Sequence, residues 1–220
     1  GEVVAMYGGK DFINDQINNA TRQFAQAGST FKPFALAAAL ESEVPLKSYW
    51  QGDSPANIKG YELTNYNDES YGEITLLEAT RESVNTAYVA MEDAVGVDRV
   101  ADAAVRAGIP KRTPGMNLKN LDLTFVLGTA SPSAVDMANA YATFAARGER
   151  AKTTFVRRIM DNNGEVLYKH EPSTKRVFSK GVADTVTYAL TDVVSRGTGA
   201  AARDLGRPAA GKTGTTDMNK

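Results

Sequence analysis

The sequence predicts an α+β fold with a mainly antiparallel sheet. Three observations carry that reading: strand-like stretches at both ends, helical periodicity through the middle, and a hairpin signal late in the chain. Residues 1–7, with Val3, Val4 and Tyr7 ahead of Gly8-Gly9, read as a short strand running into a turn. A strand cannot stand alone, so its partners must come later. Gly28-Ser29 then breaks the chain before residues 31–40, where Ala35 to Leu40 are strong helix formers with almost no polar face. That predicts a buried helix. Residues 47–72 shift to Gly, Pro, Asn, Asp and Tyr, the chemistry of a long functional surface loop.

Helices follow over residues 75–80, 85–95 and 97–107, the last stopping at Gly108-Ile109-Pro110, and over residues 133–146, closed by Gly148. The period then changes. Residues 155–160 and 165–168 flank Asp161-Asn162-Asn163-Gly164, which predicts a β-hairpin. Residues 180–194 read as another helix, 195–208 as a loop rich in Gly and Arg, and 209–215 as a final strand.

With 220 residues, 42% of them hydrophobic, the chain suffices for one good-sized core and is read as one domain. Lys and Arg total 25 against 26 Asp and Glu, so no basic field exists to attract nucleic acid. The absence of cysteine excludes disulfides, thiolate metal sites and cysteine nucleophiles. No His or Cys cluster has metal spacing, and the acidic residues between Asp53 and Asp68 lack a calcium-loop pattern; neither metal nor cofactor is implied. His170 is the only histidine, so a Ser-His-Asp triad would have to use it, yet it sits beside Glu171-Pro172 at the end of a hairpin strand. Trp50, Tyr61, Tyr66 and Tyr71 are expected to pack the long loop down rather than line a groove.

Three short motifs remain: Ser29-Thr30-Phe31-Lys32, Ser83-Val84-Asn85 and Lys212-Thr213-Gly214-Thr215. Ser29 and Lys32 stand at i and i+3, neighbours on one face of a helix, where hydroxyl and amine can share a proton. Pro33 fits a first helical turn, where amides have no intrahelical partner, and so places Ser29 at the helix start. There, free amides and the positive end of the dipole face an oxyanion developing on an attacked carbonyl. Burial and a second cation, for which Lys212 is the candidate, would lower the Lys32 pKa enough for it to act as a base. Alone, Ser-x-x-Lys describes a capped helix with a surface lysine. Here it opens an apolar helix, with Ser-x-Asn at a helix boundary and Lys-Thr-Gly-Thr far downstream.

Those three motifs, in that order, resemble the Ser-x-x-Lys, Ser-Asp-Asn and Lys-Thr-Gly signature of class A β-lactamases and penicillin-binding proteins. Further stretches resemble the transpeptidase domain of bifunctional (class A) penicillin-binding proteins along essentially the whole chain: residues 26–34, Asn65-Tyr66, residues 72–79, Leu127-Gly128-Thr129, residues 141–145 and Gly197-Thr198-Gly199. The resemblance implies an antiparallel sheet flanked by helices with an all-helical subdomain. It implies that Ser29 forms an acyl-enzyme with the penultimate D-Ala of a peptidoglycan stem peptide, with Lys32 as base. Ser83 would relay a proton to the leaving amine and Asn85 would bind the substrate amide. Lys212, Thr213 and Thr215 would hold the substrate carboxylate, Gly214 would let the backbone approach closely, and the Thr215 amide would complete the oxyanion hole.

The implied partners are stem peptides ending in D-Ala-D-Ala, and β-lactams as covalent inhibitors. The implied location is the extracytoplasmic face of a bacterial membrane, through an anchor that, like a glycosyltransferase domain, lies outside this chain. Further strands and a helix are expected beyond Lys-Thr-Gly-Thr, so residues 1–220 are expected to be an incomplete transpeptidase domain. Ser-Val-Asn in place of Ser-Asp-Asn argues against a class A β-lactamase. The alternatives are a carboxypeptidase or β-lactamase-type hydrolase of the same fold, or a non-catalytic penicillin-binding or sensing domain.

Overall fold

The computed structural model describes residues 1–22 and 24–216. One helical turn, α1 (Asn19–Arg22), and a 3-10 turn (Gly28–Phe31) lead into α2 (Lys32–Glu41). Helix α2 is the centre of the core: every residue from Lys32 to Ala39 is buried, as its all-round apolar sequence requires. Its small alanines let neighbours approach closely. Pro33 occupies the first turn, so the 3-10 turn and α2 run on as one continuous helical path beginning at Gly28.

The segment expected to be a loop carries short strands instead. β1 (Tyr49–Gln51), β2 (Ala56–Ile58), β3 (Tyr61–Leu63) and β4 (Glu73–Thr75) pair as antiparallel β1–β4, with Trp50 opposite Ile74, and β2–β3, with Ile58 opposite Tyr61. Strands of three residues are too short for a period of two to stand out against the surrounding turn residues. Trp50, Tyr61 and Tyr71 pack down against the core as expected, whereas Tyr66 is 69% exposed.

Thr75 and Glu78 form a reciprocal capping box that starts α3 (Leu76–Glu82). Then come α4 (Asn85–Val95) and α5 (Val97–Ala107), with bounds as predicted, separated by Gly96 at φ 102°. Ser133 caps α6 (Ala134–Ala145), and Ser179 caps α7 (Lys180–Arg196). Helices α4, α5 and α7 pack around α2, while α6 lies against α5 and α7. Between α6 and α7 the predicted hairpin forms from β6 (Arg158–Met160) and β7 (Val166–Lys169), flanked by the antiparallel pair β5 (Glu149–Ala151) and β8 (Thr174–Arg176).

Mixed helices and antiparallel strands therefore bear out the α+β class, with strands joined two by two among the described residues. The end strands do not form. Of residues 1–7 only Glu2 bridges Thr154, and no strand is assigned within residues 209–215. β-branched residues supply propensity, but a strand exists only where a second segment completes its hydrogen-bond ladder. Within residues 209–215 the Gly211 amide instead donates to Leu190 O of α7 at 3.2 Å, and Gly214 lies against Ala27 and Thr30.

Candidate active site

Ser29 is half-buried in the 3-10 turn ahead of α2. The turn rests on a second backbone segment: Gly28 N donates to Gly128 O at 3.1 Å, and Ala27 N donates to Ala130 O at 2.9 Å. Gly28 has φ 55°, and a Cβ there would lie 2.7 Å from Thr215 O, so only glycine fits.

One turn on, Lys32 is fully buried. Its Nζ donates to Ser83 O at 2.7 Å, to Asn85 Oδ1 at 2.8 Å and to Ser83 Oγ at 3.3 Å, and lies 5.3 Å from the centre of the Tyr88 ring. Ser83 ends α3 in the left-handed region, φ 62° and ψ 36°, a conformation uncommon for a residue with a side chain. That kink turns both its carbonyl and its hydroxyl toward Lys32 just before α4 begins with Asn85.

Burial, with the charge of Lys212 second, holds the Lys32 amine well below the ordinary lysine range. Ser83 O and Asn85 Oδ1 are pure acceptors and take two N–H groups. A neutral amine then keeps its lone pair for a hydroxyl proton. Among the described residues no hydrogen bond joins Ser29 Oγ to Lys32 Nζ, so the proton path expected from spacing alone is open rather than closed. In apo sites such contacts tighten when substrate arrives.

The third motif lies against the first. A Cβ on Gly214 would come within 2.8 Å of Thr30 Cγ2 and 3.0 Å of Ala27 O, so glycine allows the close approach. Burial brings the Lys212 amine down to about 8. The Thr213 hydroxyl is 2.7 Å from that of Thr198, and Thr215 is exposed. Among the described residues, neither the Ser29 nor the Thr215 backbone amide donates to a carbonyl. Two free donors thus stand on neighbouring segments. His170 instead sits on the hairpin, 3.4 Å from the Tyr168 hydroxyl.

The site also uses residues that motif reading left without a role. Asn65 is buried, and its Oδ1 accepts from Asn85 N at 2.9 Å and Thr86 N at 3.1 Å, capping α4 from twenty residues away. Its Nδ2 donates to Gly52 O and Glu69 O, each at 2.9 Å. Tyr141 donates to Thr30 O at 2.7 Å. Asn65, Tyr141 and Thr198 all fall in stretches that carried the family resemblance, which was the available signal; their partners lie too far along the chain to be read from spacing.

Comparison with known proteins finds similarity along essentially the whole chain. Residues 1–220 match the penicillin-binding protein transpeptidase domain. The chain is 33% identical over 222 residues to penicillin-binding protein 1A of Aquifex aeolicus and 37% identical over 237 residues to that of Mycobacterium tuberculosis, covering 99% of this chain in each case. It spans 30% and 28% of those proteins' lengths. The structure of the PonA1 protein from Mycobacterium tuberculosis in complex with penicillin V is similar at TM-score 0.82 and 34% identity, over 96% of this chain and 57% of that one.

Proposed function

The chain belongs to the penicillin-binding protein transpeptidase family, and on that premise we propose that it supplies the D,D-transpeptidase activity of a longer, bifunctional cell-wall enzyme. Its donor substrate is a peptidoglycan stem peptide ending in D-Ala-D-Ala. The Ser29 hydroxyl adds to the penultimate D-Ala carbonyl as its proton passes to the Lys32 amine. The Ser29 and Thr215 amides receive the oxyanion. The C–N bond then breaks, and terminal D-Ala leaves as an amine protonated through Ser83. An amine of a neighbouring stem peptide attacks the Ser29 ester, forming the cross-link and returning the hydroxyl. Asn85 holds the substrate amide, and Lys212, Thr213 and Thr215 hold its carboxylate.

The observation that carries the reading is Lys32: a buried amine below its ordinary pKa, bonded to Ser83 and Asn85. An amine buried that deeply is costly for stability and useful as a base. A β-lactam, whose ring amide mimics D-Ala-D-Ala, acylates the same hydroxyl. No helix among the described residues is long and apolar enough to cross a membrane, and the full protein is held at the extracytoplasmic membrane face by a segment elsewhere.

Incubating the full-length protein with a fluorescent penicillin and mapping the adduct by mass spectrometry tests the proposal. A penicilloyl group on Ser29, lasting many minutes and absent from Ser29→Ala, is expected. Rapid release by water would instead indicate a hydrolase. No adduct would make the domain non-catalytic.

A further inference from the structure

The carboxyl of Glu92 has no part in that scheme, yet it is fully buried. Glu92 lies on α4 seven residues after Asn85, two turns along the same face. Oε2 accepts from the Val126 amide at 3.1 Å, while Oε1 is buried with no partner among the described residues. Burial, reinforced by Asp122, lifts its pKa to about 8, so the group is a neutral acid at neutral pH. An apolar side chain would be cheaper in such a place unless the carboxyl does something.

What it does is visible in the segment it touches. Val126 belongs to the 3-10 turn Phe125–Leu127, which is the floor beneath the Ser29 turn. The Phe125 ring meets the Phe31 ring edge-on, centres 4.9 Å apart. Gly128, immediately after the turn, accepts the Gly28 amide, and a Cβ on Gly128 would lie only 2.1 Å from Gly28 O. The two backbones are therefore in direct contact, and any shift of the floor displaces Gly28 and Ser29.

We propose that Glu92 is a positioning residue for the nucleophile: by accepting the Val126 amide it ties the floor of the Ser29 turn to the helix that begins with Asn85. Ser29 and Lys32 on one helical path, and Asn85 at the start of α4, then keep a common frame. Glu92 touches no reacting atom and is not itself catalytic. The proposal rests on the assignment of Ser29 as nucleophile.

The test measures β-lactam acylation of the full-length protein, resolving the pre-covalent dissociation constant from the acylation rate constant. Glu92→Leu keeps the volume and removes the acceptor. It should slow acylation about tenfold, equivalent to ~1.4 kcal/mol, with the dissociation constant within about twofold. Glu92→Gln still presents a carbonyl oxygen to Val126 and should acylate within about threefold of wild type. Wild-type rates in Glu92→Leu, or equal slowing in both variants, would overturn the proposal. Should Glu92→Leu not fold, Glu92→Gln decides alone: loss beyond about threefold refutes it, and a smaller change supports it. Wild-type labelling at Ser29 is the control; its absence would overturn the functional assignment itself, and this inference with it.

Discussion

Replacing Lys32 by methionine separates its chemical role from its structural one. The fully buried amine makes three hydrogen bonds, to Ser83 O, Ser83 Oγ and Asn85 Oδ1. Losing them costs on the order of 1 kcal/mol each. Removing a buried amine from an environment that disfavours its charge offsets much of that. Methionine fills a similar volume, so the net stability change should stay near ~1–2 kcal/mol, about 2–8 °C in Tm for a domain of this size. Catalysis should respond far more strongly. A general base contributes about 10²–10⁴ in rate, or ~3–5 kcal/mol of barrier, and among the described residues no other amine bonds to Ser83 and Asn85. Rapid-quench acylation with a fluorescent penicillin, run beside thermal melts, reads both quantities. Loss of at least about a hundredfold in rate with a small Tm shift is expected. Acylation within about fivefold of wild type, with Ser29→Ala inert, would refute the assignment of Lys32 as base.

Lys212→Met should gain stability while losing function. Burial lowers the Lys212 pKa from 10.5 to about 8, so the unfolded chain binds more protons between those values and wild-type stability rises with pH through that window. Below it the charged amine costs the fold up to ~3 kcal/mol. Denaturant titrations should show the variant more stable at pH 7, with the advantage shrinking by pH 10; equal stability at both would refute this. The same charge helps to lower the Lys32 pKa, so the acid limb of the acylation profile should move to higher pH in the variant. Asn65→Leu removes a buried amide that makes five hydrogen bonds. About 3–5 kcal/mol should be lost, with Tm falling by roughly 6–20 °C and the α4 amides exchanging faster. A Tm unchanged from wild type would contradict the capping role.

The parts legible in the sequence share a physical property: their determinants are local. Ser29 and Lys32 are one turn apart, and Pro33 places the turn at a helix start. The bounds of α4 and α5 were readable because Gly96 and Gly108-Ile109-Pro110 interrupt an otherwise continuous helical pattern. Asp161-Asn162-Asn163-Gly164 announced its own hairpin. The strand expectations for residues 1–7 and 209–215 failed because propensity names a candidate strand, whereas pairing requires a partner that no local pattern supplies.

The chemical inventory of the site, a hydroxyl, two lysines, a second serine and an asparagine in three ordered motifs, was therefore determined by the sequence itself. Tertiary structure alone decided how those groups behave. Ser83 acquires its left-handed backbone where α3 meets α4, Asn65 reaches twenty residues to cap Asn85, and Glu92 braces the floor of a turn more than sixty residues away along the chain. Burial lowers the pKa of both lysines, and for Lys32 the charge of Lys212, 180 positions distant, lowers it further. Desolvation and Coulomb interaction depend on distance through space, which chain connectivity does not encode until the core has packed.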